Sequence, residues 1–307
     1  MIPSKIYGDK LFQLSLVLAS TIALVAMGGI VIFLFKEGLP ALRAFGLQFV
    51  FSDVWDPING KYGAGAMLYG TLVTSCIAIT LAVPFALVVV FFITEVVPFS
   101  LIVPVSLGIQ LLAAVPSVVY GMWGFFVVVP VMISTVEPFL ISTLGVVPLL
   151  GNLFVGEAHG LSFLTCGFVL ALMILPFITS MVLRAIVAVP AIIREASYGV
   201  GSASYEVFFR ILVPHIRSVI AGATLLGLGR ALGEAMAVSF VVGNVTSISL
   251  SLLAPGSTMA SLIANEFHEA EYGSVLFHAL LALGFILFVM SSLLFALFRF
   301  FAPYRGR

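Results

Sequence analysis

No Asp, Glu, Lys or Arg stands in residues 11–35, 66–94, 101–133, 162–183 or 274–298. A transmembrane helix needs about 20 apolar residues, and each of these runs reaches that length. Within a bilayer every backbone polar group must be satisfied internally, which leaves helices or closed barrels. The alternation of apolar and polar residues that marks barrel strands is absent, so the chain reads as an all-α membrane protein. Composition agrees: 62% of residues are hydrophobic and 8% charged, against about 25% charged in soluble domains.

Six spans are expected, over residues 11–35, 66–94, 101–133, 162–185, 218–242 and 274–301. Pro104, Pro116 and Pro130 mean that the third cannot be one straight helix, and its middle reads as a kink at Pro116. Residues 134–161, broken by Pro138, Gly145, Pro148, Gly151 and Gly156, read as a re-entrant or surface-lying excursion. This divides the chain into an N-terminal span with an external polar segment (1–65), a transmembrane domain (66–301) and a short tail (302–307). The first run is too long for a signal-peptide core and lacks a small-residue cleavage site, so it reads as a retained span.

Basic residues set the orientation. With the N-terminus inside, the cytoplasmic side collects Lys5, Lys10, Arg184, Arg194, Arg210, Arg217, Arg299, Arg305 and Arg307. The outside collects Lys36, Arg43 and Lys61. Both termini are therefore expected in the cytoplasm of a prokaryote, at its inner membrane. Formal net charge is zero, and no nucleic-acid partner is expected.

The fifth span carries Arg230 and Glu234 near its middle. A charge at bilayer mid-depth costs at least about 2.5–3.5 kcal/mol, so such residues are functional candidates by default. On an unbroken helix the two would share a face, one turn apart. Gly227, Gly229, Ala231, Gly233, Ala235 and Ala237 surround them, and small residues let a neighbouring helix approach closely. Ser117, Tyr120 and Asn244 are further polar groups placed to line a path. An intrahelical structural pair is the competing reading.

Residues 186–217 form the main cytoplasmic loop. Pro190 suits a helix start, Ala191–Ser197 favours helix, and Gly199 and Gly201 supply a C-cap. A second amphipathic helix is expected from about Ser202 to Val213, interrupted by Pro214. Within this loop Glu195-Ala196-Ser197, Gly201, and Ile211 with Val213-Pro214 resemble the signature of permease subunits of bacterial ABC importers: E-A-A, three residues, G, nine residues, I-x-L-P. The spacing matches throughout, with Ser197 replacing alanine and Val213 replacing leucine. GLGRALGEAMAV with the following GN, YGTLVTS, AVPFA, PSVVYGMWG, LALMILP and PGSTMASLIANEFHEA extend the resemblance to phosphate-importer permeases of the PstC type.

That resemblance implies a type I ABC importer permease fold with a cytoplasmic coupling helix. It implies ATPase coupling through Arg194, Glu195, Ala196, Gly201 and Pro214, and a substrate role for Arg230 and Glu234. It also implies a PstA-type permease partner, an ATPase dimer and an external phosphate-binding protein. A guanidinium offers planar paired donors that match phosphate oxygens and stays charged at any relevant pH. Glu234 would be its partner at rest, holding the anion's grip weak enough for release.

The chain has no G-x-x-x-x-G-K-[ST] loop; Gly60-Lys61 is followed by tyrosine. ATP and Mg are thus expected on a partner chain, with no cofactor in this one and no enzymatic activity of its own. A permease for another oxyanion, molybdate or sulfate, is the alternative within the class. An ATP-independent transporter or channel lies outside it. An intramembrane enzyme would need a nucleophile–base set or metal ligands at mid-depth, which the spans do not offer. Glu266, His268, Glu269 and Glu271 lack metal-ligand spacing and read as a solvated face or a docking surface for the binding protein. Cys76 and Cys166 read as apolar fillers.

Overall fold

The computed structural model describes residues 3–148 and 151–301; the tail expected at 302–307 lies outside them. Among the described residues there are helices and two isolated bridges but no strand. Helix α1 (Pro3–Phe45) leads to α2 (Gly65–Phe91), which continues through a wider π-turn, Phe92–Val96. Helix α3 (Phe99–Ala113) and α4 (Ser117–Thr143) follow, then α5 (Phe163–Val187). The loop helices are α6 (Ala191–Gly199) and α7 (Ser204–His215). Beyond them come α8 (Arg217–Leu232), α9 (Met236–Val241), α10 (Met259–Glu266) and α11 (Val275–Phe301).

Five of the described helices are long and apolar enough to cross a membrane: α1, α2, α4, α5 and α11. A sixth crossing requires a bent element, because α8 alone has only 16 residues. The expected fifth span, 218–242, is in fact α8, a break at Gly233–Ala235, and α9.

Prolines explain where the reading of the helices needs correction. Proline lacks an N–H and its ring collides with the carbonyl four residues back. Four π-segments, Phe92–Val96, Gly124–Val128, Met132–Val136 and Val207–Leu212, each end two residues before a proline: Pro98, Pro130, Pro138 and Pro214. At Pro130, Pro138 and Pro214 the wider turn moves the offending carbonyl aside, so the helix can continue, whereas at Pro98 it ends, with Val97 extended. Val129, Glu137 and Val213, each just ahead of its proline, stay helical. Hence 134–143 belongs to α4, and the expected excursion begins only after Thr143. Pro214 likewise sits inside the last turn of α7, and the chain turns instead at Ile216, by 75°. Pro116 does break the chain, so the expected kink is a full separation of α3 from α4. Helix α1 runs through Pro40 to Phe45, placing Lys36 and Arg43 on helix rather than in the polar segment.

Two packed clusters organise the bundle. The larger joins α2, α4, α5, α7, α8 and α9 around Val169, Ile174, Ile178, Phe208 and Leu212. Helices α2 and α5 pack along one another, and α8 lies against both. The smaller gathers the end of α1, the 49–67 segment, α10 and α11 around Phe49, Met67 and Leu283. The first half of α1 is exposed throughout its described side chains, as befits a lipid-facing or partner-facing helix.

The stretch 243–273, which joins the expected fifth and sixth spans, does not lie in solvent over its whole length. Leu253, Ser257, Thr258 and Ser261 are buried. The Thr71 hydroxyl accepts the Met259 amide at 3.0 Å, tying the start of α10 to α2. Thr258 caps α10, its hydroxyl accepting the Ser261 amide at 3.2 Å.

Candidate translocation path and coupling surface

Arg230 lies in the last turn of α8. The small residues around it act as expected: a β-carbon on Gly227 would come within 3.0 Å of Ile178, and one on Gly229 within 2.5 Å of Phe295. Helices α5 and α11 therefore approach α8 at van der Waals contact beside the arginine. The side chain of Arg230 is half-buried, and among the described residues no carboxylate stands within ion-pair distance of it.

Glu234 does not pair with Arg230. Helix α8 ends at Leu232, and Gly233 leaves helical geometry at φ −92°, ψ 0°. The one-turn spacing expected from an unbroken helix is lost there. Instead the Glu234 carboxylate accepts the Ala237 amide at 3.2 Å, in the first turn of α9. An anion at a helix N-terminus meets unpaired amides and the positive end of the dipole. The glutamate thus stabilises the restart of the helix.

Tyr120 and Ser117 sit at the opening of α4. The Tyr120 hydroxyl donates to the Leu112 carbonyl at 2.9 Å. Leu112 is four residues before Pro116, so this is the carbonyl that the proline cannot pair. Ser117 is half-buried on the first turn of the same helix. Close contact joins this region to α9: a β-carbon on Gly121 would meet the Ala237 α-carbon at 2.8 Å. The fold therefore brings Arg230, Glu234, Ser117 and Tyr120 onto adjoining elements.

Asn244 stands apart. It adopts φ +53°, and its side-chain amide donates to the Ser239 carbonyl at 2.8 Å. That closes the C-terminal end of α9 and accounts for the asparagine in structural terms, since asparagine tolerates the left-handed conformation.

A charge that the sequence did not single out lies in α4. Glu137 is fully buried. Its two oxygens accept the Gly160 amide at 2.8 Å and the Ser162 hydroxyl at 3.0 Å. It fastens the 156–162 segment, and with it the start of α5, onto α4. Once the proline-dense stretch is understood to be helical, a carboxylate at this position demands such partners.

Helix α6, the expected coupling helix, forms where the sequence placed a helix, and Gly201 takes the left-handed φ of +84° that a C-cap needs. Its outward side displays Ile192, Glu195, Ala196 and Val200, with Ile192 73% and Val200 82% exposed. Ser197 faces inward, its hydroxyl donating to the Ile193 carbonyl at 2.6 Å. Pro214 is exposed at the far end of the loop. Arg194 turns away from the outer face and meets Glu95, at the end of α2, at 3.4 Å. The Tyr198 hydroxyl donates to the other oxygen of Glu95 at 2.6 Å. Burial, and then the carboxylate that it serves, push the Tyr198 phenol above its ordinary pKa. A lone glutamate between two apolar runs was the available signal for this contact.

Outside the bundle, Glu266 accepts the Trp55 indole N–H at 2.8 Å. Its carboxyl is pushed up, chiefly by burial. His268 and Glu269 form an exposed pair at 3.6 Å.

No family model matches the chain. Curated relatives do. The chain is 46% identical over 286 residues to the phosphate transport system permease protein PstC of Xylella fastidiosa (strain Temecula1), covering 92% of this chain and 87% of that protein. It is 44% identical over 292 residues to PstC of Mesorhizobium japonicum, covering 95% and 89%. A probable PstC of Methanocaldococcus jannaschii is 31% identical, covering 84% and 82%. Among solved structures, the fold resembles a bacterial ABC transporter involved in alginate import, with TM-score 0.55 at 15% identity, covering 99% of this chain and 100% of that one. The alginate ABC transporter in complex with its pentasaccharide-bound periplasmic protein gives TM-score 0.58 at 16% identity, covering 100% and 97%. A helical bundle with the ABC-importer permease fold, matched along nearly its whole length by these relatives, belongs to the PstC family of phosphate transport system permease proteins.

Proposed function

We propose that this permease carries inorganic phosphate across the cytoplasmic membrane by alternating access, driven by ATP hydrolysis on a separate chain. The observation that carries this reading is Arg230: a half-buried guanidinium in an apolar stretch, beside a helix break, with no carboxylate within ion-pair distance among the described residues. A cation drawn partly out of water and left unpaired is costly, and a dehydrating oxyanion would supply the missing charge. That the similar proteins are phosphate transport system permeases supports phosphate as that anion.

The exposed apolar and acidic face of α6 supports docking of an ATPase subunit. The partners that fit are a PstA-type permease, an ATPase dimer holding ATP and Mg, and an external phosphate-binding protein. The test is reconstitution of the chain with these partners and measurement of ATP-dependent phosphate uptake against sulfate and molybdate. Phosphate alone should be transported, and Arg230→Gln in an assembled complex should lower uptake about tenfold or more, the scale of a charge-assisted contact of roughly 1.5–3 kcal/mol. Equal uptake of the competitors would overturn the phosphate reading, and unchanged uptake by Arg230→Gln would overturn the arginine's role.

A further inference from the structure

The chain offers an obvious route from the coupling helix to Arg230: along α7 and into α8. The geometry of that route is poor for transmitting force. Helices α7 and α8 meet at an elbow of 75°. Ile216, at the elbow, lies outside helical geometry at φ −99°, ψ 15°. A displacement at the far end of such a joint can be absorbed by the joint itself.

A second route has no bend of that size: α2 and its π-turn run from Gly65 to Val96 as one helix, through Pro84. Glu95, in the final turn of α2, has a side chain only 6% exposed. It is gripped from one side by Arg194 at 3.4 Å and from the other by the Tyr198 hydroxyl at 2.6 Å. Both partners belong to α6. One turn earlier on α2, Phe91 meets Phe208 edge-to-face and Phe209 at a tilt, both on α7, with ring centroids 5.3 and 5.7 Å away. The two phenylalanines of α7 are themselves 4.9 Å apart. The end of α2 is thus held by both arms of the cytoplasmic loop, through charge, hydrogen bond and aromatic contact. Farther along α2, Ile79 lies 3.8 Å from where a β-carbon on Gly227 would stand, one turn before Arg230 on α8.

From these contacts we infer that Glu95 is a positioning residue that makes α2 the lever between the coupling helix and the Arg230 segment. The inference rests on the importer reading above and adds the route by which the ATPase would act. When α6 is displaced, α2 travels with it as one body and shifts against α8 at Gly227. The elbow at Ile216 allows this because α7 and α8 need not move together.

The test uses the full reconstituted complex in proteoliposomes, on a Cys76→Ser background, with phosphate uptake and ADP release measured on the same assembled sample. Glu95→Gln and Tyr198→Phe should leave ATP hydrolysis within about twofold while phosphate moved per ATP falls about fivefold or more, the range of allosteric coupling. A purely structural role would lower both readouts together. In a Glu95→Cys/Tyr198→Cys double variant the reduced protein should be uncoupled. A short bis-methanethiosulfonate bridge between the two thiols should restore the ratio, and reductant should abolish it again. Unchanged phosphate per ATP in both single variants would overturn the inference. So would a bridge that arrests uptake which the reduced protein performs, since the two helices would then have to separate. Absence of ATP-dependent uptake in the unaltered complex would instead strike the importer reading, and the two failures are therefore distinct.

Discussion

Arg230 and Glu234 show how far a side chain's meaning depends on the backbone beneath it. Their separation in sequence suggested an ion pair. The break after Leu232 sends the carboxylate to the Ala237 amide and leaves the guanidinium without a carboxylate partner. Asp56 is a clearer single-residue case because it lies in solvent at a turn. Its oxygens accept the Asn59 side-chain amide at 2.6 Å and the amides of Ile58 and Asn59 at 3.1 Å. These bonds, led by the Asn59 side chain, hold its carboxyl below the ordinary aspartate range. A depressed folded pKa stabilises the turn at every pH above the unfolded value of about 3.9, and that contribution is lost as pH falls through the lowered value. Trp55 fluorescence in a Trp123→Phe protein should therefore report opening of the turn only below about pH 4. The change should be absent in Asp56→Asn.

At the scale of elements, the prolines govern the bundle. They were legible as disruptions, yet only one of the four inside or beside residues 101–143 severs the helix. Pro116 severs it, and Tyr120 then repairs the freed Leu112 carbonyl. Pro130 and Pro138 are absorbed by π-turns, and Pro104 sits within α3. Sequence marks a missing N–H; whether the helix widens or stops depends on what packs against it. Contact between α4 and α9 is the element-level feature most open to trial. Gly121 faces Ala237 and Phe240 with no room for a side chain. Gly121→Val should cost about 1–3 kcal/mol of overpacking, seen as a lowered Tm in detergent. Gly28→Ala, where a β-carbon meets nothing within 4 Å, should be neutral or slightly stabilising. A wild-type Tm for Gly121→Val would mean that the two helices are not in contact.

For the whole molecule, orientation is the property that charge placement argues. Basic residues gather at one set of helix ends, and the coupling helix lies at the same end as Glu95 and the start of α3. Single cysteines on a Cys76→Ser background should settle it. Asn59→Cys should react with an impermeant thiol reagent in intact cells, and Ser202→Cys only after permeabilisation. The reverse pattern would invert the topology and with it the reading of α6 as a docking surface.

Membership of the all-α membrane class, the approximate number and place of the spans, and the coupling helix with its glycine cap were determined by sequence alone. The reason is that these are local matters: hydrophobic length against bilayer thickness, and the backbone freedom of Gly201. The polar groups near Arg230 could be nominated from residue type. Their partners could not, because partnership depends on where a helix ends and what lies across from it in space. Tertiary structure decided that Glu234 caps α9, that Asn244 closes the same helix, that Glu137 is buried and fastened, and that Glu95 is gripped by α6. The Glu137 and Glu95 contacts join segments far apart in sequence, and those of Glu234 and Asn244 depend on where α9 starts and ends, neither of which periodicity gives. What began as a buried pair of opposite charges is, in the folded chain, a free arginine beside a capped helix restart.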